Sequence, residues 1–257
     1  MFSDNGKDIK EQRYFSVVKA NELIQNTRFN LSMQEQKIIL YLISKIKPND
    51  TEIKEQTFNI KEFCKVCGID DDNGKNYQDL KNTIQDLSTK NSWIRIDEKT
   101  EKLFFWITDA TIIKDDGIVK IKLHEGLTPY LLQLREKFTQ YGLIYELPMR
   151  SQYSMRIYEL LKSYENIHKK TFTVEELKKK LMCDNKSYEN FSNFKAKVLD
   201  IALKEINALT DIDAEFTTHK TGRKTTHIEF IIKSKKDTVE RMKTFIKIEK
   251  LLDGSKK

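Results

Sequence analysis

TFNIKEFCKVCGID at residues 57–70 and TFTVEELKKKLMCD at 171–184 are one pattern written twice, at a spacing of 114, and their reading decides the fold. The likeness continues outward from both. Upstream, the helical stripe Ile39, Leu42, Ile43, Ile46 is matched by Ile157, Leu160, Leu161, Tyr164 at a spacing of 118. Downstream, NYQDL (76–80) is matched by SYENF (187–191) at a spacing of 111. Three blocks in one order, with only the intervening loops changing length, describe an internal duplication of one small domain. A chain of 257 residues has room for two such domains, each with its own core.

Each copy spells a helix, a helix-turn-helix and a β-wing. In the first, Ser32 with Glu35 makes a capping box for a helix to about residue 47, and Asn59 with Glu62 opens a short helix to about residue 67. The loop DDDNGKN (70–76) then leads to a third helix over about 77–89. Alternating runs follow at WIRI (93–96), LFFWIT (103–108) and IVKIKL (118–123), with an Asp116-Gly117 turn before the last. Trp93 and Trp106 lie in these runs and are expected in the core.

The second copy has a helix over 151–165, a helix capped by Thr173 and Glu176 and running to 182, and a long helix over 188–209. Phe191, Phe194, Val198, Ile201 and Ala202 form its inward stripe. In the closing hairpin, Ile212, Ala214 and Phe216 face the same way as Ile228, Phe230 and Ile232, around a tip at Gly222. The expected class is α+β, with two tandem winged-helix domains related by duplication. The expected divisions are a flexible tail over 1–13, a first domain over 14–140, a second over 141–236, and an amphipathic helix with a basic tail over 237–257. That last helix places Val239, Met242, Phe245 or Ile246 and Leu252 on one side.

The net charge of +7 is unevenly placed. Residues 150–257 hold 24 Lys and Arg against 16 Asp and Glu, whereas residues 1–149 hold 22 against 23. A basic half beside a neutral one suggests that the second copy grips a polyanion, although lysine-rich faces also serve solvation alone. A recognition helix must expose polar side chains to base edges while its other face holds it to the domain. Asn190, Ser192, Asn193, Lys195 and Lys197 fit that need: asparagine pairs with adenine, lysine with guanine or phosphate. Lys220, Arg223 and Lys224 at the wing tip suit the flanking backbone. On the first copy's third helix the candidates are Asn76, Gln78, Lys81, Asn82 and Gln85.

Other residues keep two readings. Arg156 either touches phosphate or pairs with Glu159 or Glu205. Tyr77 and Tyr188 either anchor the recognition helices or donate to phosphate, and the lysines at 178–180 either line backbone or are solvated.

Three cysteines describe no disulfide framework, and the CxxC of Cys64 and Cys67 has no second pair to complete a zinc site. The four histidines include no HxH pair, and there is no Walker GxxxxGK[ST]. No catalytic residue, cofactor or metal is therefore expected. No apolar run approaches the roughly 18 residues of a membrane span. The segment MFSDNGKDIKEQR (1–13) lacks a signal peptide's apolar stretch, so a cytoplasmic location and no membrane partner are expected.

VVKANELIQNTRFNLSMQEQKIILYLISKI (17–46), PYLLQLREKFTQY (129–141), SQYSMRIYELLKSYE (151–165) and KVLDIALKEINALTDI (197–212) resemble plasmid replication initiator (Rep) proteins with two winged-helix domains. The likeness covers about 14–232 and takes 129–141 as a linker. It implies a non-enzymatic protein that binds direct repeats, called iterons, in double-stranded origin DNA, helps open the duplex and recruits the host replication initiator and helicase. It also implies a monomer on iterons and a dimer, joined through the first domain, that represses its own gene. A transcriptional regulator with the same fold and no initiation role is the alternative, followed by a rolling-circle-type nuclease.

Overall fold

The computed structural model describes residues 6–28, 30–69 and 75–254, so most of the loop expected over 70–76 lies outside the described residues. The chain opens on helix α1 (Gly6–Glu11) and a 3-10 turn (Gln12–Tyr14). From residue 6 the expected flexible tail is therefore structured. Arg13 supplies the reason. Its guanidinium is only 3% exposed, donates to the carbonyls of Lys65 and Val66, and pairs with Glu249 and Asp253 at 2.6 and 3.0 Å.

The first copy runs β1 (Ser16–Ala20), α2 (Asn21–Asn26), α3 (Met33–Ser44), β2 (Gln56–Asn59), α4 (Ile60–Cys67) and α5 (Lys75–Thr89). Two hairpins follow, β3 (Asn91–Arg95) with β4 (Glu101–Phe105) and β5 (Ile107–Ile113) with β6 (Ile118–Leu123). Next come α6 (Thr128–Leu131) and β7 (Phe138–Gly142). The second copy runs α7 (Gln152–Lys162), β8 (Lys169–Thr173), α8 (Val174–Lys180), α9 (Phe191–Phe194), a π-turn (Lys195–Leu199) and α10 (Asp200–Leu209). The wing strands β9 (Ile212–Thr221) and β10 (Lys224–Ser234) and helix α11 (Thr238–Asp253) complete it.

The duplication is visible in three dimensions. Antiparallel sheets of order β2-β6-β5 and β8-β10-β9 have the same topology. At the spacing of 114, Asn59 and Thr173 are both N-caps, and Gly68 and Met182 both adopt left-handed backbone, at φ 65° and 51°. The capping box of Ser32 and Glu35 is formed, and Ser151 caps α7. Hairpin β3–β4 has no counterpart in the second copy. Helices α3 and α7 are buried on nearly every side. Each packs within its own copy and against the other, with the Gln36 amide donating to the Gln152 carbonyl at 3.2 Å.

Four expectations are corrected here. The segment 129–141 is no free linker, because α6 lies in it and β7 pairs in register with β1, Val17 opposite Tyr141 and Lys19 opposite Thr139. Trp93 is 47% exposed, since it stands on the outer face of β3 opposite Leu103; Trp106 is the buried indole, and its Nε1 donates to Ser92. Ile201 is 43% exposed. The π-turn adds a residue to one turn and rotates the apolar face, so that Leu199 joins Phe194, Val198 and Ala202 inside. In α11 the residues facing the core are Thr244, Ile248 and Leu252, with Phe245 half-buried, whereas Val239 is 61% exposed and Met242 and Ile246 also face out.

Between the copies lies a buried charge cluster. Glu159 of α7 pairs with Lys19 of β1 and with Arg156, and the Tyr141 hydroxyl donates to it. Burial alone would raise the Glu159 carboxyl, yet Lys19 and Arg156 hold it below its ordinary value. Glu146, fully buried beside it, goes the other way: burial and then the Glu159 charge push it well up.

Candidate nucleic-acid interface

The recognition element of the second copy is a rod of α9, the π-turn and α10, anchored by aromatic packing. Tyr188, just before it, stacks edge-on against Tyr153 and Phe194, with ring centroids 6.1 and 6.4 Å apart. The inward stripe fixes the rod to the domain, and Asn190, Ser192, Asn193, Lys195 and Lys197 are all exposed. Some are already engaged. Asn190 is the N-cap, its side-chain Oδ1 accepting from the Ser192 N–H, and the Asn193 side-chain amide donates to the Ser187 backbone carbonyl at 3.0 Å. Lys195 meets Asp200 at 2.8 Å and lies 5.6 Å from the Phe216 ring centre.

The wing reaches past this rod. Thr221 pairs with Lys224, so Gly222 and Arg223 form a two-residue tip, with Gly222 at φ 62° as such a turn requires. Phe216 sits opposite Phe230 and Ala214 opposite Ile232, which holds the base of the hairpin to the core and leaves its tip in solvent. Rod and wing enclose an open groove of about 930 Å³. Ser192, Lys195, Lys220, Arg223 and Lys224 line it together. Asn190, Asn193 and Lys197 are exposed but are not on its wall. The groove also takes in Lys178, from the lysine run, and His227 and three wing threonines that residue-type reasoning passed over. Alternation along β10 carried the only signal for His227.

The first copy has a groove in the same place without the basic excess, Lys61 and Lys114 on its wall being matched by Asp115 and Asp116. It lies between the start of α5 and the β5–β6 tip, and Asn76 and Gln78 line it with Lys114, Asp115, Asp116 and Gly117. Its tip is acidic where the second copy's is basic. Gln78, Lys81, Asn82 and Gln85 are exposed along α5, with Gln78 donating to Asn82 at 2.8 Å, and Asn76 is half-buried.

Arg156 is not a phosphate contact in this arrangement. Only 2% exposed, it donates to the carbonyls of Ile24 and Thr27 and pairs with Glu159 at 3.5 Å. Its tight contacts join α7 to the end of α2. Among the described residues, no group of three or more His, Cys, Asp or Glu could hold a metal, and no helix is long and apolar enough to cross a membrane.

Two winged helices in tandem, the second with a basic groove between recognition rod and wing, define a DNA-binding protein of the double winged-helix class. Comparison with known proteins carries this further. The family model described as "Initiator Replication protein, WH1" matches residues 16–162, and "Initiator Rep protein, WH2" matches 173–232. The chain belongs to this family of plasmid replication initiators.

An Escherichia coli "Replication initiation protein" is 31% identical over 225 residues, which is 83% of this chain and 68% of that protein. The Escherichia coli "PI protein" is 35% identical over 133 residues, 45% of this chain and 44% of that one. Among solved structures, domains 2 and 3 of RctB align over 80% of this chain and 81% of that one, at 13% identity and TM-score 0.45. The WH1 domain of the replication protein MSBI1.176 aligns over 39% of this chain and 79% of that one, at 20% identity and TM-score 0.31.

Proposed function

We propose that this protein initiates plasmid replication by binding direct repeats in origin DNA, with the second domain as the main reader and the first adding a second DNA contact and a self-contact. The observation that carries the reading is the groove where Lys195, Lys220, Arg223 and Lys224 converge beside the exposed polar side chains of the recognition rod. Lysine and arginine at the tip supply sequence-independent phosphate contacts, and the rod supplies base contacts. Two modules on successive major grooves would cover about 20 base pairs.

The first copy's acidic tip fits a lesser role on the backbone and a larger one with protein. Hairpin β3–β4 suits a second copy of the chain, because Trp93 and Leu103 stand opposite each other on its outer face with Phe105 two residues along, all exposed. A self-complementary patch of this kind is what a two-fold dimer requires. Autorepression as a dimer and recruitment of the host initiator and helicase belong to the same proposal and rest on family membership.

The test is a DNase footprint on the DNA flanking the protein's own coding region, with permanganate to detect unpaired thymines. Protection repeated along several direct repeats, with reactive thymines nearby, is the expected result. One protected operator without opening would instead mark a transcriptional regulator.

A further inference from the structure

Beside the basic groove lies a second cleft of about 350 Å³, between the two copies. Thr173 and Glu175 line both, so the two are contiguous across the start of α8. The cleft takes Arg28 and Arg95 from the first copy and Lys179 and Lys180 from the second. Its carboxylates are committed: Glu101 to Arg28 at 3.5 Å, Glu176 to Lys180 at 3.7 Å, and Glu175 to Lys224 at 3.3 Å. Arg95 and Lys179 are exposed and have no ion pair among the described residues.

The positive field in this cleft is unbalanced. The Lys180 ammonium is held below its ordinary value, first by burial, and among its neighbours Glu176 opposes the shift while Arg156 and Arg95 add to it. A cluster of cations that repel one another, open to solvent and continuous with a polyanion groove, is stabilised by an anion.

We propose that Arg95 and Lys179, with Arg28 beside them, hold the phosphate backbone that flanks the major groove read by the second copy. The cleft between the copies would then be a further DNA contact, made jointly by both domains. This rests on the reading of the adjoining groove as the DNA site. It also gives the near-neutral first copy a direct hold on DNA through two arginines outside its own recognition helix.

The test compares the full chain with Arg95→Ala/Lys179→Ala and with Lys224→Ala, on a random-sequence duplex and on the footprinted repeat. Binding is measured against salt and followed by phosphate-ethylation interference. The exposed positions of Arg95 and Lys179 leave the fold undisturbed. The double variant should lower the slope of log affinity against log salt by about 0.9 for each phosphate lost, and weaken both duplexes by the same factor. It should also relieve interference at phosphates different from those relieved by Lys224→Ala.

An unchanged slope in the double variant, with a reduced one in Lys224→Ala, overturns the cleft contact and leaves the groove reading standing. Slopes unchanged in both variants overturn the groove reading and this inference with it. A reduced slope with interference lost at the same phosphates as Lys224→Ala also overturns the inference, because Arg95 and Lys179 would then act only through the general field.

Discussion

Gly68 and Met182 hold the same left-handed turn in the two copies, yet substitutions there should move stability in opposite directions. A Cβ on Gly68 would meet Leu252 at 2.8 Å from Cδ2 and 2.9 Å from Cα, besides occupying a φ of 65° that L residues avoid. Gly68→Ala should therefore cost more than the roughly 1–2 kcal/mol of the left-handed backbone alone, because α11 must also shift. Met182 already bears that backbone cost, and Met182→Gly should relieve it, offset by glycine's greater freedom when unfolded, for a gain of about 0.5 kcal/mol. Urea unfolding of both variants checks the pair, and a loss on Met182→Gly would mean that the methionine's packing outweighs its backbone.

Glu146 supplies a pH prediction. Its native carboxyl is raised well above the ordinary value, so the native protein keeps a proton that the unfolded chain releases near pH 4.3. The stability it contributes is complete below that pH and is lost as pH rises through the native value. Glu146→Gln keeps the protonated shape at every pH, so it should flatten that loss and be more stable than the parent at pH 8, as read from thermal unfolding.

Recognition rod and wing divide the work between elements, and two lysines should separate it. Lys195→Ala removes a side chain on the rod and should cost about 1–3 kcal/mol on the specific repeat with little effect on random duplex. Lys224→Ala, at the wing tip, should weaken every duplex alike and flatten the salt dependence by about 0.9. Equal loss on both duplexes for Lys195→Ala would assign it to the backbone set.

At this scale much was legible in the sequence. The caps at Ser32, Asn59 and Thr173 and the alternation of the second wing are local signals, written within a few residues of where they act. What escaped depends on distant partners. β1 is a strand because β7, more than a hundred residues away, pairs with it, and Arg13 orders the N-terminal turn only because Glu249 and Asp253 arrive from the other end. Trp93 misled because alternation gives two faces without saying which is covered, and Ile201 because a π-turn breaks the period that located it. The two wing tips were legible as turns at Asp116-Gly117 and Gly222, but that each tip lines a groove with its own recognition helix needed the fold, which places Asp115 and Asp116 where the second copy has Lys220, Arg223 and Lys224.

The whole molecule is joined across its copies at three levels: α3 against α7, the buried charges around Glu159, and a clasp made by the two ends of the chain. The clasp lies outside both family matches, which span 16–162 and 173–232. Helix α11 leaves the second wing, packs on α10, stacks Phe245 on Tyr145 at 5.7 Å and sets Leu252 against Gly68 of the first copy. There Arg13 pairs with Glu249 and Asp253, Lys10 meets Asp253, and the Tyr14 hydroxyl donates to Glu249. Because both ends hold each other, removing either should free both. Arg13→Ala should cost roughly 1.5–3 kcal/mol through the charged hydrogen bonds lost to Lys65, Val66 and Glu249, with Asp253 counting least because it is the most exposed partner. Ending the chain after residue 236 should accelerate amide exchange across residues 9–20 and around Gly68 while leaving β9 and β10 protected. Exchange unchanged in the N-terminal turn of the shortened chain would show that α1 is held by α4 alone, and the two domains would then be fixed to each other by α3, α7 and the charges between them.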